Sequence, residues 1–301
     1  MKNSNLVKIF MIMFLFTCSY AEVNRVAKLS DKTVKNNVVY LKGEKTPFSG
    51  KIQDGGIEQE YRNGIKNGMF KGKIQIDGKD YLYEGKYVEG IKDGIWTLKY
   101  LNGKKRAVVE YSYDKPVNKW KYYYENGQLE SEETFDKSGV LSGGIAVYDE
   151  EGNVLKKANY LNGLLQGEVV FYESKGVLDT VANFDKGKLN GKVEVFSINS
   201  LQLEGNYKDN KRVSVWKLYY TSGDLKVTVP YRNGLKSGKS IVYDRAGGVV
   251  QVNYYKDNNE VTADGKLIRE AKPFKDGIVE KFKKFNANLN SLKVNKALSE
   301  V

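Results

Sequence analysis

Short runs of alternating apolar and polar residues, separated by turns that contain glycine, make up most of the chain. In the segment WKYYYENGQLESEETF, Trp120, Tyr122 and Tyr124 alternate with other residues, so a strand would place them on one face. The Asn126-Gly127 pair that follows is a strong hairpin-turn signal. The pattern predicts pairs of short antiparallel strands, without helical periodicity.

A fixed period runs through these hairpins. The aromatic residue before the first turn of each unit recurs as Tyr61, Tyr87, Tyr111, Phe135, Tyr160, Phe184, Tyr207, Tyr231 and Tyr254. Successive spacings are 26, 24, 24, 25, 24, 23, 24 and 23 residues. Such self-similarity is typical of repeat proteins. We therefore predict an all-β fold, an elongated antiparallel β-meander of about nine hairpin repeats with a period of about 24 residues.

Two columns of turn residues accompany this aromatic residue. The first column, about three residues later, reads Gly64, Gly90, Asp114, Gly139, Gly163, Gly187, Asn210 and Gly234. The second column, four residues further on, reads Gly68, Gly94, Asn118, Gly143, Gly167, Gly191, Ser214 and Gly238. Gly, Asn and Asp tolerate a left-handed backbone best, so the columns predict tight turns rather than ligand contacts.

The two ends of the chain depart from the period. We predict a lead segment at 22–45, the repeat array at 46–257, and a degenerate last repeat with an amphipathic helix at 258–301. The apolar residues at helical spacing in this last segment are Ile278, Phe282, Phe285, Leu289 and Leu292. Repeat arrays need caps, so we expect the helix to cap the last strands. Its lysines leave a membrane-surface helix as the alternative.

The first 21 residues have the pattern of a secretory signal peptide. Lys2 and Lys8 precede an apolar run at 9–16, which is far shorter than the ~20 residues that a bilayer span needs. We predict cleavage after Ala21 and export to the periplasm, the cell surface or the medium. Lipidation of Cys18 is the alternative, although bulky residues precede it where small ones are usual.

The composition narrows the chemistry that the chain can perform. It has no histidine, and Cys18 is its single cysteine, so a chain cleaved after Ala21 would contain neither. This excludes Ser-His and Cys-His nucleophiles and the common zinc sites. No carboxylate pair stands apart from the repeat pattern. We therefore predict a non-enzymatic protein with no catalytic, cofactor-binding or metal-binding residues.

The charge balance bears on the partner. The net charge is +12, or +10 without Lys2 and Lys8. A positive charge of this size favours anionic surfaces and acidic polymers, although lysines also protect sheet edges. Basic runs interleaved with base-stacking aromatic residues are absent, so we do not expect nucleic acid to bind. The sequence leaves the oligomeric state open.

Five aromatic residues are candidates for a binding stripe: Trp96, Trp120, Tyr124, Trp216 and Tyr220. The three tryptophans occupy one equivalent place in their repeats and the two tyrosines another, four residues later, so their rings would form aligned rows in one stripe, and we predict that this stripe is exposed. The alternative is that the rings pack on one another, as aromatic residues of neighbouring repeats commonly do.

The segments YLNGLLQGEVVFY, FDKGKLNGKVEVF and YRNGLKSGKSIVY resemble the MORN repeat, in the variant form common in bacterial proteins. TPFSGKI is similar to a recurring opening of such proteins, and the resemblance covers about 46–257. The unit YSYDKPVN departs most, because Pro116 lies between its two turn positions. The resemblance implies a meander of hairpins without catalytic residues, and a role in protein scaffolding or at membrane lipids. Related bacterial proteins carry an antitoxin-like label.

The hairpin WKYYYENG is also similar to the choline-binding repeats of cell-wall proteins. Those repeats have a period of about 20 residues and use recurring tryptophans to enclose a quaternary ammonium group. The longer period of this chain and its three tryptophans make this a minor alternative.

Three functions are compatible with these features. The one that we predict is an exported scaffold that binds another protein at the cell envelope or outside the cell. The second is a module that binds anionic glycan or lipid surfaces, in line with the charge and the aromatic rows. The third, implied by the family resemblance alone, is neutralisation of a secreted toxin.

The predicted meander has a measurable size. Nine hairpins of two strands each would advance by roughly 85 Å, because neighbouring strands lie about 4.8 Å apart. Small-angle scattering of residues 22–301 should then give a radius of gyration of at least about 25 Å, against about 19 Å for a compact body of that length. A value near the smaller figure would contradict the elongated arrangement.

Overall fold

A computed structural model describes residues 25–273 and 275–287, together with Leu289, Ser291, Lys293, Val294 and Ala297. The predicted signal peptide, with its cleavage site and Cys18, lies outside the described residues. The chain divides into two compact units: unit 1 contains residues 1–115 and 297–301, and unit 2 contains residues 116–296. The predicted fold class is confirmed, since the structure is a mostly antiparallel β-meander of many hairpins with one short C-terminal helix.

The described part of unit 1 is built from nine strands. They are β1 (Val26–Ala27), β2 (Lys32–Lys35), β3 (Val38–Leu41), β4 (Gly50–Asp54), β5 (Ile57–Arg62), β6 (Ile65–Ile76), β7 (Lys79–Val88), β8 (Ile91–Lys99) and β9 (Lys105–Ser112). Strands β4 to β9 pair antiparallel in chain order. Strands β2 and β3 form a separate hairpin, and β1 pairs with β4 in parallel.

Strand β10 (Lys115–Pro116) spans the sequence boundary between the two units, and unit 2 is itself a meander. Its strands are β11 (Asn118–Tyr123), β12 (Leu129–Phe135), β13 (Leu141–Tyr148), β14 (Val154–Leu161), β15 (Leu164–Leu165), β16 (Gly167–Tyr172), β17 (Leu178–Asp185), β18 (Lys188–Ser197), β19 (Ser200–Lys208), β20 (Lys211–Tyr219), β21 (Leu225–Arg232), β22 (Leu235–Lys236), β23 (Gly238–Tyr243), β24 (Val249–Lys256), β25 (Asn259–Val261) and β26 (Leu267–Arg269). Helix α1 (Gly277–Ala287) follows. The strands pair antiparallel in chain order, with β15 and β22 as short strands beside β14 and β21.

The first turn column has the left-handed backbone that the sequence predicts. Its glycines have positive φ, as at Gly187 (77°), and so do Asp114 (61°) and Asn210 (65°). The side chain of Asp114 also accepts the backbone N–H of Lys92 at 2.7 Å. That of Asn210 accepts the N–H of Leu189 at 2.8 Å. Where a non-glycine residue takes this strained conformation, an added hydrogen bond to the preceding repeat therefore supports it.

The second turn column behaves in the same way. Gly143 has a φ of 120°, and Asn118 and Ser214, which replace glycine in their repeats, have φ values of 60° and 62°. Gly143 pairs across the sheet with Tyr160, and Asn118 pairs with Phe135. The column thus sets a small turn residue opposite the recurring aromatic residue of the next strand.

The main chain joins most repeats to the next at the first turn column; Gly139 is an exception, because its N–H donates to the carbonyl of Asp136 in its own turn at 3.1 Å. Gly90 donates its N–H to the carbonyl of Lys66 at 2.7 Å, and Gly163 donates to that of Leu141 at 2.8 Å. Equivalent bonds recur through Asn258, which donates to the carbonyl of Lys236 at 2.9 Å. Neighbouring hairpins are therefore joined by a backbone bond, as nearest-neighbour stacking requires.

The last aromatic position differs from its prediction by one residue. Gly191 pairs with Tyr207, and the equivalent Gly238 pairs with Tyr255 rather than with Tyr254. Tyr255 is 24 residues after Tyr231, so this assignment also restores the period. The adjacent tyrosines made the position ambiguous in the sequence, and the strand register decides it because neighbouring residues face opposite sides of a sheet.

Each unit has one sheet face that carries buried rings, the inner face, and an opposite outer face. In unit 1 the rings of Tyr83 and Trp96 stack with centroids 4.6 Å apart, and Phe70 lies 5.4 Å from Tyr83. In unit 2 the inner face includes Val193 and Trp216, both fully buried. Contacts of this kind between neighbouring strands supply the hydrophobic stabilisation of the meander.

Side-chain volume on the inner face is balanced between neighbouring strands. The backbone of Gly205 lies against the indole of Trp216, and a Cβ at that glycine would overlap the ring. Gly85 has the same relation to Trp96. At the matching place in another repeat, Ala182 pairs with Val193. A large residue therefore faces a glycine and a medium one faces an alanine, which keeps the packing dense without overlap.

The predicted C-terminal helix is confirmed, and its position differs from the expected one. Phe282 and Phe285 of α1 are buried, and Phe282 lies with its ring centroid 4.9 Å from that of Phe184 on β17. The helix thus covers the inner face of unit 2 over strands β14 to β20 rather than the last strands. Helical spacing identifies the apolar side of a helix but not the strands that receive it. Leu292 lies outside the described residues.

The close approach of Gly205 to Trp216 predicts that adding a side chain at this glycine destabilises the fold. Gly205→Ala should lower the free energy of unfolding by about 1–3 kcal/mol, because the new methyl group overlaps Trp216. The double variant Gly205→Ala/Trp216→Val recreates the Ala182–Val193 arrangement and should recover part of the loss. Denaturant midpoints measure both effects.

Gly144→Ala is the matched control. This glycine lies in a strand with an ordinary φ, and the nearest atom to an added Cβ is 3.7 Å away, so its midpoint should hardly change. Equal losses at Gly144 and Gly205 would contradict the proposed packing.

Candidate functional site

The three tryptophans of the predicted binding stripe are buried. Trp96, Trp120 and Trp216 are each 0% exposed and lie on the inner face. The expectation that they form an exposed row is therefore wrong, and the alternative that they pack among other rings is correct for them. Alternation assigns residues to a common face, whereas burial depends on which face the rest of the chain covers.

The two tyrosines of that stripe lie at the hairpin edge and are partly buried. The hydroxyl of Tyr124 donates to the carbonyl of Tyr148 at 2.8 Å, and that of Tyr220 donates to the carbonyl of Tyr243 at 2.8 Å. Both hydroxyls thus join one hairpin to the next. A binding role for these two rings stays a prediction.

A second row of aromatic residues lies along unit 2, and we call it the outer ladder. Its members are Tyr123, Tyr148, Tyr172, Phe196, Tyr219 and Tyr243, all partly exposed. Each occupies a β-bulge opposite an apolar residue: Leu129, Val154, Leu178, Leu201, Leu225 and Val249, in the same order. The extra residue of each bulge lies on the partner strand, as Asp179 does between Leu178 and Thr180. Each ring directly follows an inward-facing residue, as Tyr172 follows the buried Phe171, so strand alternation presents one ring per repeat on the outer face.

The outer ladder borders charged residues of the outer face. Glu204 accepts hydrogen bonds from the Tyr219 hydroxyl at 2.6 Å and from Lys217 at 3.1 Å. Lys192 lies 2.6 Å from Glu194 and 3.2 Å from Glu204, so it bridges two carboxylates on adjacent strands. The bond from Tyr219, with those from Lys217 and Lys192, lowers the pKa of Glu204 to about 2. Glu204 is therefore ionised at neutral pH.

At the other end of the outer face lies an open cavity of about 520 Å³. Its polar lining includes Lys119, Glu132, Lys157 and Glu168, and Tyr172 of the outer ladder closes one side. Lys119 pairs with Glu132 at 2.8 Å. Its floor contains small residues such as Gly144, which explains the depression. The cavity thus offers both charges and an aromatic ring to a ligand.

The inner face is fixed by contacts to α1 and the residue before it. Asp276 accepts hydrogen bonds from Arg212 at 2.9 and 3.1 Å and from the Tyr207 hydroxyl at 2.7 Å. Lys281 forms an ion pair with Asp179 on β17. These bonds hold the helix at both its start and its middle.

The charge on Asp276 depends on this clamp. Burial by itself would raise the pKa of Asp276, but the hydrogen bonds from Arg212 and Tyr207 hold it below its ordinary value. The Arg212 guanidinium also lies 4.1 Å from the Trp216 ring, a cation–π contact. The carboxylate, the guanidinium and the ring therefore form one connected group under the start of α1.

Within the part of the chain that the structure describes, no cluster of acidic, histidine or cysteine side chains is placed to hold a metal ion. In the same residues, every helix is too short or too polar to cross a bilayer.

Comparison with known families supports the resemblance in part. The model of the MORN repeat variant matches residues 116–137 and 212–233. These segments cover β11 with β12 and β20 with β21, the hairpins that contain Trp120 and Trp216. MORN repeats are a non-enzymatic module that generally mediates interactions with proteins or membranes. Two hairpins of the chain are therefore similar to a known interaction repeat.

Two solved structures show weak likeness. Alternansucrase in complex with isomaltononaose is 16% identical, with a TM-score of 0.19, over 78% of this chain and 16% of that enzyme. CbpF in complex with ipratropium is 13% identical, with a TM-score of 0.21, over 79% of this chain and 98% of CbpF. At such TM-scores neither likeness bears on fold or function. No curated protein matches the chain significantly.

The outer ladder and the cavity were missed as a site in the sequence. Tyr148, Tyr172, Phe196 and Tyr243 are visible there as a recurring aromatic position, but no surface follows from that. The signal that could have identified them is the apolar residue about six positions later in each repeat, which marks the bulged pair. The Arg212–Asp276 bond joins distant segments, and local patterns do not predict it.

The Asp276 clamp predicts a change in helix docking. Asp276→Asn should weaken the docking of α1 by about 1–3 kcal/mol, because Arg212 loses its charged partner. Since the folded-state pKa is lowered, the wild-type contribution is present above the ordinary value of about 3.9 and is lost as the pH falls through the folded value. Hydrogen exchange of the α1 amides should show both effects.

Asp209→Asn is the control for this prediction. Asp209 pairs with Lys188 at 3.3 Å in a turn where both side chains are 56% exposed, so little stabilisation is expected from it. If the α1 amides were equally protected from hydrogen exchange in the two variants, the clamp would not hold the helix.

Proposed function

We propose that the protein is an exported, non-catalytic repeat protein that binds another protein at the cell envelope or outside the cell, through the outer face of unit 2. The observation that carries the proposal is that the two faces differ. Helix α1 covers the inner face over strands β14 to β20, whereas the outer ladder and the cavity remain accessible on the other face. The two MORN-type hairpins support an interaction role.

The chemistry of the outer face favours a protein as the partner. Partly exposed rings lie beside residues of both signs, such as Lys119 and Glu132 at the cavity. Protein interfaces combine aromatic anchors with polar and charged surroundings in this way. A surface that binds only anionic polymers would instead concentrate positive charge.

An anionic glycan is the second candidate, and the regularity of the outer ladder favours it. One ring per hairpin recurs about every 9.6 Å along the sheet, twice the spacing of neighbouring strands. A polymer of sugar rings could stack on such a series. Export, predicted from the first 21 residues, would bring either partner within reach.

The protein-binding proposal is tested by capture from envelope fractions. The chain should retain a specific protein, and Lys157→Glu should lower that affinity about tenfold by reversing a charge at the cavity. Lys186→Glu, which reverses an exposed lysine in a turn of the same unit, should leave the affinity unchanged.

The outcomes separate the candidates. An equal loss of affinity in Lys157→Glu and Lys186→Glu would overturn the protein-binding proposal. Failure of the wild-type chain to retain any protein would also overturn it. Retention on purified cell wall at low salt that disappears with Tyr172→Ala would favour the glycan instead. Failure to bind cell wall at low salt would remove that second candidate.

A further inference from the structure

The inner face of unit 2 extends beyond the part that α1 covers. One of its rows passes through directly paired residues on successive strands. In order they are Phe171, Thr180, Val195, Leu203, Leu218, Val227, Val242 and Gln251. Phe171 lies under α1, with its ring centroid 5.0 Å from that of Phe282. The row therefore starts inside an established helix–sheet interface and continues out of it.

Exposure rises along this row away from the helix. Thr180 is 2% exposed, whereas Leu218 is 36% exposed, and Val227 and Val242 are partly exposed. We call Leu218, Val227, Val242 and the neighbouring Tyr220 the open inner patch. It is the continuation of the surface on which α1 packs, made of the same kinds of residue.

The course of the chain leaves the open inner patch uncovered by the described residues. Asp276, before α1, binds Arg212 on β20, and Ser291, beyond α1, donates its N–H to Glu133 on β12 at 3.2 Å. The chain thus runs from β20 towards β12. The patch lies on β20, β21 and β23, on the other side of the point where the helix begins.

The charge at the patch is the reverse of that under α1. Asp179, which pairs with Lys281 of the helix, directly follows Leu178 in the bulged pair of its repeat. The equivalent residue after Leu225 is Lys226, whose Nζ lies 5.3 Å from the ring of Tyr220. Where α1 meets a carboxylate, a helix on the patch would therefore meet an ammonium group.

A second cation strengthens this difference. The guanidinium carbon of Arg245 lies 5.6 Å from the centroid of the Tyr220 ring. The nearby carboxylates are engaged in turns: Asp224 accepts the Ser222 hydroxyl at 2.9 Å, and Asp244 accepts the N–H groups of Ala246 and Gly248. The two cations are thus available to a ligand with negative charge.

We propose that the open inner patch binds an amphipathic helix of a partner protein, with an apolar face like that of α1 and acidic rather than basic flanks. Four strands from β20 to β24 span about 14 Å, which a helix crosses in roughly ten residues. Helix α1 has 11 residues, so the patch accommodates a helix of similar length. This surface is separate from the outer face, so the inference goes beyond the proposed function.

The probes are two labelled synthetic helices that share the apolar positions of α1. One keeps lysine at the positions of Lys281, Lys283 and Lys284, and the other has glutamate there. Fluorescence anisotropy with the full chain should show saturable binding of the acidic helix, at least about tenfold tighter than that of the basic one. Lys226→Asp restores the arrangement found at Asp179 and should reverse this preference.

Two variants of one strand locate the site. Leu218→Glu, on the patch, should weaken binding of the acidic helix at least about tenfold, because it places a carboxylate in an apolar contact. Val215→Glu is the matched control: it is 48% exposed on the outer face of the same strand and should leave binding unchanged. The exposed Arg245→Glu provides a second disruptive change should Leu218→Glu impair folding.

Each remaining outcome overturns the inference. Absence of saturable binding, or equal binding of the two helices, would remove the acidic-helix partner. Loss of hydrogen-exchange protection in α1 would show that the probe displaces α1. A dimer that disappears with Leu218→Glu would assign the patch to a second copy of the chain. Binding to anionic vesicles that disappears with the same variant would assign it to lipid. Lys157→Glu, which tests the outer face, should not affect the helix probes.

Discussion

The structure depends on a left-handed backbone at one turn of every repeat. In most repeats that conformation lets the first-column residue donate its N–H to the preceding hairpin, as Gly90 does to Lys66, whereas Gly139 donates within its own turn. Glycine adopts it without strain, and Asp114 and Asn210 adopt it with an added side-chain bond. The period, the strand register and the alignment of rings on each face all follow from this repeated junction, because each hairpin is placed by its predecessor.

The features that this junction controls could be predicted from the sequence. The period, the two turn columns and the all-β meander are local, since each is visible within about 24 residues. The apolar side of α1 is local for the same reason. The position of α1 is not, because it depends on bonds such as Asp276 to Arg212, 64 residues apart. The burial of Trp96, Trp120 and Trp216 follows from which face is covered, and periodicity contains no such information.

The two faces of unit 2 differ in composition because strand alternation places one set of side chains on each. Glycine or alanine on the inner face allows close approach of rings, as at Gly205 beneath Trp216, and so concentrates bulk there. Strand alternation places the residue after a buried ring, such as Tyr172 after Phe171, on the other face. The extra residue of the bulge, here Asp179, lies on the partner strand.

The composition of the inner face also varies with what covers it. Under α1 the central row holds Val169 and Val193, both fully buried, whereas on β23 and β24 the paired positions are Ser240 and Asn253. Ser240 is buried and its hydroxyl donates to the carbonyl of Thr228 at 2.8 Å, whereas Asn253 is partly exposed. Leu218, in the neighbouring row beyond the helix, is 36% exposed, which the packing of the array alone does not explain. Retention of an exposed leucine beside Lys226, where another repeat has a carboxylate, is the arrangement expected of a surface that binds an acidic partner.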